Sequence, residues 1–316
     1  MAFMLFDFIG CGKLQNRDNS GEFILQSMIS ADVAKTSTVL ERKILMTDCA
    51  DAQGLIAKIT SVCFNHKLNI IKNSEFVDNA QGRFFMRTEL EGVFHSEQLL
   101  QDLRDVLPVQ NHMTLVSAGK KRIVVLVTKE AHCLGDLLMK AYYGGLSVDI
   151  AAVVGNHDAL RELAEKFNIP FHLVSHVGLD RTQHEQALLG AVAQYEPDYL
   201  VLAKYMRVLT PDFVAQYPNR IINIHHSFLP AFIGAAPYRQ AWERGVKIIG
   251  ATAHFVNNCL DEGPIIKQDV IPVDHSYSAL EMARAGRDVE KSVLSKALQL
   301  VLNEQVVVYG NKTIVF

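Results

Sequence analysis

An amide, an imidazole and a carboxylate stand in this chain at spacings that suit acyl-group chemistry. Asn223 and His225 lie two apart in the apolar run IINIHHSFLP, and Asp261 sits in the loop NNCLDEGP after a second apolar run. Delivered together to the mouth of a sheet, such groups can stabilise the oxyanion of a tetrahedral intermediate and manage its protons. Residues two apart on a strand share a face and neighbours do not, so Asn223 and His225 are expected at one site and His226 elsewhere. A His-His pair split in that way is a poor metal clamp and no HExxH spacing is present, so no metal is assigned. His254, in GATAHFV, can approach the pair, although a lone histidine on a core strand is more often hydrogen-bonded structure. Taken singly, each residue has an ordinary explanation: Asn223 as a strand-end amide, His225 as a core histidine, Asp261 as the turn former before Glu262-Gly263-Pro264. Together, at the ends of apolar strands that lead to one crevice, they argue for a site.

Positioning these residues needs a sheet, and 316 residues with 49% hydrophobic content are enough for two domains, each with its own core. Residues 1–38 contain the polar cluster QNRDNSGE and no sustained period, which predicts a poorly ordered extension. Met28 lies nearer the expected beginning, so peptides from 1–27 are expected to be missing from cell-derived protein. Over 39–117 the runs RKILMTDCA, QGLIAKITSVCFNHK, LNIIKNSEFVD, GRFFMRTELEG, SEQLLQDLRDVL and HMTLVSA give the order βαββαβ, the ferredoxin-type split unit. AGKKR, residues 118–122, is a basic, Gly-containing linker. From 123 to 316, IVVLVT, VDIAAVV, PFHLV and DYLVLA are short apolar runs suited to parallel strands buried on both faces, separated by helical windows near Cys133–Tyr143, Ala159–Phe167 and Thr182–Tyr195. A long helical window, Ser278–Asn303, leads to QVVVYG and KTIVF. The fold class is α/β: a small ferredoxin-like domain, then a doubly wound, mostly parallel sheet that binds ligands outside the carboxyl ends of its strands.

The charge balance narrows the partners. A formal net charge of −3, from 31 basic and 34 acidic residues without long blocks, leaves no footprint for nucleic acid or an anionic membrane, so a small molecule is the expected partner. The five widely spaced cysteines form no CxxC pair, and no run is long and apolar enough to span a bilayer; a soluble, cytoplasmic protein is expected. TKEAHCLGD after the first strand of the second domain is not GxGxxG, which gives a dinucleotide little support.

The stretch NIHHSFLPAFIGAAPYRQAWERGVKIIGATAHFVNNCLDEGPII resembles the folate-dependent formyltransferase family, whose catalytic Asn, His and Asp match Asn223, His225 and Asp261. Within it, HHSFLPAF, GVKIIGATAHFV and the preceding small domain resemble the formyltetrahydrofolate deformylases, which hydrolyse 10-formyltetrahydrofolate to formate and tetrahydrofolate. The small domain, with DCADAQGLIAKITSV and NAQGRFFMRTEL, looks like an ACT domain. The resemblance implies that folate is the substrate and that no cofactor is needed. It places the pterin beside Met206, Arg207, Val208 and Leu209 and beside the loop Val256, Asn257, Asn258, Cys259 and Leu260; ordinary helix-start packing is the alternative for Met206–Leu209. The loop FLPAFIGAAP, bracketed by Pro230 and Pro237, can cover such a site. The ACT likeness implies pairing of copies into a homo-oligomer and an amino-acid effector, methionine or glycine, held at their interface by Asp51, Gln53, Gly54 and Leu55 with Asn69; a purely structural, oligomerising role is the alternative.

Transfer of the formyl group to an amine remains open at this stage, as does a non-catalytic folate or amino-acid sensor. The acidic Lys129-Glu130-Ala131-His132 weighs against a nucleotide-phosphate acceptor, and the balanced charge against tRNA.

Overall fold

Alternation of apolar and polar residues in the first domain produces a sheet covered on one face. The computed structural model describes residues 40–231 and 236–316; the expectations for residues 1–38, and the middle of the loop between Pro230 and Pro237, lie outside the described residues. The first domain runs β1 (Glu41–Ala50), α1 (Leu55–Asn65), β2 (Asn69–Asp78), β3 (Arg83–Gly92), α2 (Ser96–Val106) and β4 (Asn111–Ser117). Its sheet has the order β2-β3-β1-β4, every neighbouring pair antiparallel, which is the expected split βαββαβ arrangement. Leu45, Cys49, Phe84, Met86 and Leu90 point to the helices and pack with Leu55, Ile59, Leu99 and Leu103. Asp78 closes the β2–β3 turn by accepting from the backbone N–H of Ala80 and Gln81.

The next strand begins at Lys121, inside the expected linker, which leaves Ala118–Lys120 as the joint. The second domain continues β5 (Lys121–Val127), α3 (His132–Tyr142), β6 (Val148–Gly155), a 3-10 turn (Asp158–Leu160), α4 (Arg161–Glu165), β7 (Phe171–Leu173), α5 (Arg181–Ala193), β8 (Tyr199–Leu202), α6 (Pro211–Gln216), β9 (Ile221–His225), α7 (Pro237–Arg244), β10 (Ile248–Phe255), β11 (Ile265–Pro272), α8 (Ala279–Leu302), β12 (Val306–Tyr309) and β13 (Lys312–Val315). Seven strands form one sheet in the order β11-β10-β9-β8-β5-β6-β7. The five strands from β9 to β7 are parallel, and β10 and β11 are antiparallel additions.

Alternate residues of β5 serve two cores. Ile123, Val125 and Val127 pack with Leu134 and Leu137 of α3 and Val293, Leu294 and Leu298 of α8, while Val124 and Leu126 pack with Leu188 of α5 and Phe213 of α6. Helices therefore cover both faces, and the chain reverses its direction of travel across the sheet between β5 and β8, where a crevice opens at the carboxyl ends. Ser278 starts α8 with a capping box to Glu281, as the window predicts.

The C-terminal hairpin β12–β13 packs on the open face of the first domain's sheet. The Tyr309 ring meets Phe85 edge-on at 5.2 Å, and the Arg83 guanidinium lies 5.9 Å from the Tyr309 ring centre. Arg87, also on β3 and buried, donates to the carbonyl oxygens of Glu304 at 2.6 Å and Asn303 at 2.8 Å, and to Glu89 at 2.7 Å. It thus holds the end of α8 to the first domain. Arg87→Met is expected to lower the unfolding free energy by about 3 kcal/mol, two charge-assisted hydrogen bonds at the low end of roughly 1.5–3 kcal/mol each. A shift of the urea midpoint at unchanged slope is the measurement that checks it.

Candidate active site

β9 carries the first two candidate residues because it is a short strand between two partners. Its register sets Asn223 beside Leu202 of β8 and His254 of β10, and sets His225 beside Thr252. His254 is buried and donates from Nδ1 to the Phe255 carbonyl at 2.9 Å, which leaves Nε2 as an acceptor; the Asn223 Nδ2 lies 3.2 Å from it. One amide hydrogen of Asn223 is thereby fixed, and its direction fixes the other. Burial holds His254 below the ordinary histidine range, which agrees with a neutral ring in that role. The sequence treats His254 as structural; the fold makes it the support of Asn223.

Asp261 comes from the loop joining β10 to β11. Its Oδ2 lies 3.3 Å from His225 Nδ1, and its Oδ1 lies 3.9 Å from His254 Nε2. Burial pushes the Asp261 carboxyl up, but the His225 contact and the neighbouring imidazoles of His254 and His226 outweigh it and hold the group below the ordinary carboxylate range. The other ring nitrogen of His225, Nε2, is buried and has no hydrogen-bond partner among the described residues. Buried polar atoms are normally satisfied, so an orphan at this position points to a ligand group.

The loop is held by close backbone approach. A Cβ at Gly263 would stand 1.7 Å from the Phe255 carbonyl oxygen, so only glycine lets the hairpin neck close there. Asn311, in the turn of the C-terminal hairpin, donates to the Glu262 carbonyl at 2.9 Å. Gly263→Ala is expected to shift Asp261 by about an ångström and lower turnover by about 10². The comparison of kcat with folate binding checks this, since binding residues outside the loop stay in place.

Asn223, His225 and Asp261 line one cavity of about 310 Å³, at the small end of the roughly 300–1,000 Å³ of ligand pockets. Met206, Arg207, Val208, Leu209, Val256, Asn257, Asn258, Cys259 and Leu260 line it too. Met206–Leu209 are loop rather than helix start: Thr210 caps α6, which begins after them at Pro211.

The same architecture recurs in known proteins. The family described as formyl transferase matches residues 121–298. The formyltetrahydrofolate deformylase of Escherichia coli (strain K12) is 67% identical over 276 residues, which are 87% of this chain and 99% of that protein. The chain belongs to the formyltetrahydrofolate deformylase family. A crystal structure of a formyltetrahydrofolate deformylase from Pseudomonas syringae matches with TM-score 0.83 at 38% identity, covering 89% of this chain and 96% of that one. A glycinamide ribonucleotide transformylase from Symbiobacterium toebii matches with TM-score 0.60 at 31% identity, over 62% of this chain and 94% of that one. Deformylases therefore match most of the chain, and this transferase a smaller part of it.

One expectation changes in this deformylase-family structure. His226 does not point away: the strand ends at His225, so its neighbour leaves the pleat, and its ring lies 5.2 Å from that of His225 at the cavity wall. Burial, then the charge of Lys204, pull His226 down to about 4. The regulatory candidates do not converge within one chain. Asp51 follows the end of β1 that pairs with Arg83, where its N–H bonds to Gly82, whereas Asn69 pairs with Glu91 at the other end of β3. Strands of this length separate the two by about 30 Å. Gln53, Gly54 and Leu55 lie at the start of α1, with Gly54 in the left-handed region and Leu55 buried.

A second polar group, which the sequence reading did not single out, adjoins the cavity. Glu290, buried on α8, accepts from Tyr238 at 2.6 Å, and its other oxygen lies 2.8 Å from His132 Nε2 and 3.2 Å from Lys204 Nζ. Burial opposes its charge, but His132, Lys204 and Tyr238 hold it down to about 2. His132, Cys133 and Glu290 could together reach a metal ion, yet the Lys204 ammonium already stands against the carboxylate.

Proposed function

We propose that the chain hydrolyses 10-formyltetrahydrofolate to formate and tetrahydrofolate, with Asn223, His225 and Asp261 as the catalytic residues. The observation that carries these roles is the buried, unpartnered Nε2 of His225, on a ring whose Nδ1 faces Asp261 and whose strand neighbour Asn223 has one amide hydrogen to spare. In the reaction, water attacks the formyl carbon and loses a proton to Asp261. The oxyanion receives hydrogen bonds from Asn223 Nδ2 and from a protonated His225 at Nε2. The intermediate then collapses: the bond from carbon to N10 breaks, N10 takes up the proton held by Asp261, and formic acid leaves, losing its proton to solvent as formate. The pterin is proposed to lie against Met206–Leu209 and Val256–Leu260, and no cofactor is required. Incubation of the full chain with 10-formyltetrahydrofolate and no acceptor tests this. Formate release is expected; release only with an added amine would favour transfer, and binding without turnover would favour a sensor.

The proposal extends to regulation and location. An amino-acid effector, methionine or glycine, fits a site made from Asp51, Gln53, Gly54 and Leu55 of one copy and Asn69 of a second, because one chain keeps them apart. The edge strand β2, with Ile71 and Phe76 each more than 40% exposed, supports pairing of copies into a homo-oligomer. Unchanged activity across a panel of amino acids would remove the effector. Cys49, Cys63, Cys133 and Cys259 are unpaired, which supports a cytoplasmic location, and no helix among the described residues is long and apolar enough to cross a membrane.

A further inference from the structure

Lys204 lies two residues beyond the end of β8, at the point where the sheet reverses direction. Its backbone is left-handed, with φ of 62°, and its side chain is 4% exposed. A long non-glycine side chain seldom takes that conformation, and burying its ammonium is unfavourable unless something specific compensates. Compensation comes from Glu290, which Tyr238 and His132 hold in place. Tyr238 lies directly on α8 at Gly286, where a Cβ would stand 2.1 Å from its hydroxyl oxygen, so the carboxylate is clamped from both sides.

Lys204 also stands on a boundary. With Met206 and His226 it lines the catalytic cavity and a second one of about 430 Å³, whose other walls include Pro237, Tyr238, Arg287 and Glu290. That second space is large enough for a small nucleophile-bearing molecule, it adjoins the proposed catalytic residues, and it contains a buried carboxylate. A carboxylate so placed would draw the ammonium form of an acceptor amine to the formyl carbon. The ammonium that is present is the protein's own.

We propose that Lys204, held by Glu290, decides the nucleophile: it occupies the place an acceptor amine would take and thereby reserves the formyl carbon for water. This rests on the hydrolytic reading above. Water is neutral and needs no site beside Glu290, whereas an amine arriving protonated meets a like charge that is already satisfied. With the lysine side chain removed, the two cavities join and Glu290 faces them. The bound ammonium then gives one proton to solvent, the neutral amine forms its bond to the formyl carbon as the bond to N10 breaks, and the second proton it releases balances the one N10 takes up.

The experiment compares wild type and Lys204→Ala, as full chains, with 10-formyltetrahydrofolate in the presence of glycinamide, scoring formate and N-formylglycinamide by mass spectrometry. Wild type is expected to give formate, and the variant to raise the formylated-amine fraction on the order of tenfold, the discrimination of a single pocket contact. Propylammonium, which replaces the missing side chain, is expected to raise the melting temperature of Lys204→Ala and not that of wild type. Should the alanine variant fail to fold even with propylammonium, Lys204→Gly, which also removes the side chain and suits the left-handed backbone at φ of 62°, serves for the product analysis. Formate as the sole product of a folded variant, at the wild-type ratio, overturns the proposal. Absence of formate from the wild-type arm overturns instead the hydrolytic reading beneath it.

Discussion

Asp261→Asn is expected to lower formate release by about 10²–10⁴, the range for a positioned general acid or base. The substitution is chosen for its backbone. Asp261 has φ of 57°, a left-handed conformation that asparagine tolerates and alanine does not, so the loop keeps its path. What disappears is the negative charge facing His225 Nδ1 and the oxygen able to take the proton of water. Folate affinity is expected to stay near wild type, because Met206–Leu209 and Val256–Leu260 are untouched. Near-normal turnover in a folded sample would remove Asp261 from the chemistry. The pH dependence has a definite sign. The neighbouring imidazoles hold the carboxyl below its ordinary range, so its protonation limits turnover only when the pH falls beneath that range.

Asn223→Ala is expected to cost about 10²–10³ in kcat with little change in KM, as for loss of one oxyanion donor. The size of the effect depends on how firmly the donor is aimed. His254, held by the Phe255 carbonyl, accepts one amide hydrogen and leaves the second no freedom to turn away. A rise in KM with kcat unchanged would show instead that Asn223 only binds substrate.

Much of this was legible because periodicity reports local packing. The runs that became β5, β6, β8 and β9 were visible as apolar stretches, and the Ser278 window became α8 with a capping box. Two short helices, α6 and α7, were hidden because each opens on a proline, Pro211 or Pro237, which marks a break as readily as a first turn. The proposed catalytic three could be named because two share a strand and the third lies in the turn of the next hairpin. His132, Lys204, Tyr238 and Glu290 could not, since their contacts join positions 52 to 158 residues apart. One signal was available. Glu290 interrupts the buried stripe Gly286, Val289, Val293 and Leu294 of α8, and a carboxylate on an apolar helix face needs a partner.

Single turnover in ¹⁸O-labelled water tests the central claim most directly, because attack of water on the formyl carbon places one solvent oxygen in formate. The account expects each formate from the first turnover to carry one ¹⁸O atom and Asp261 to remain unlabelled. Unlabelled formate with ¹⁸O in Asp261, or no formate at all, would contradict it.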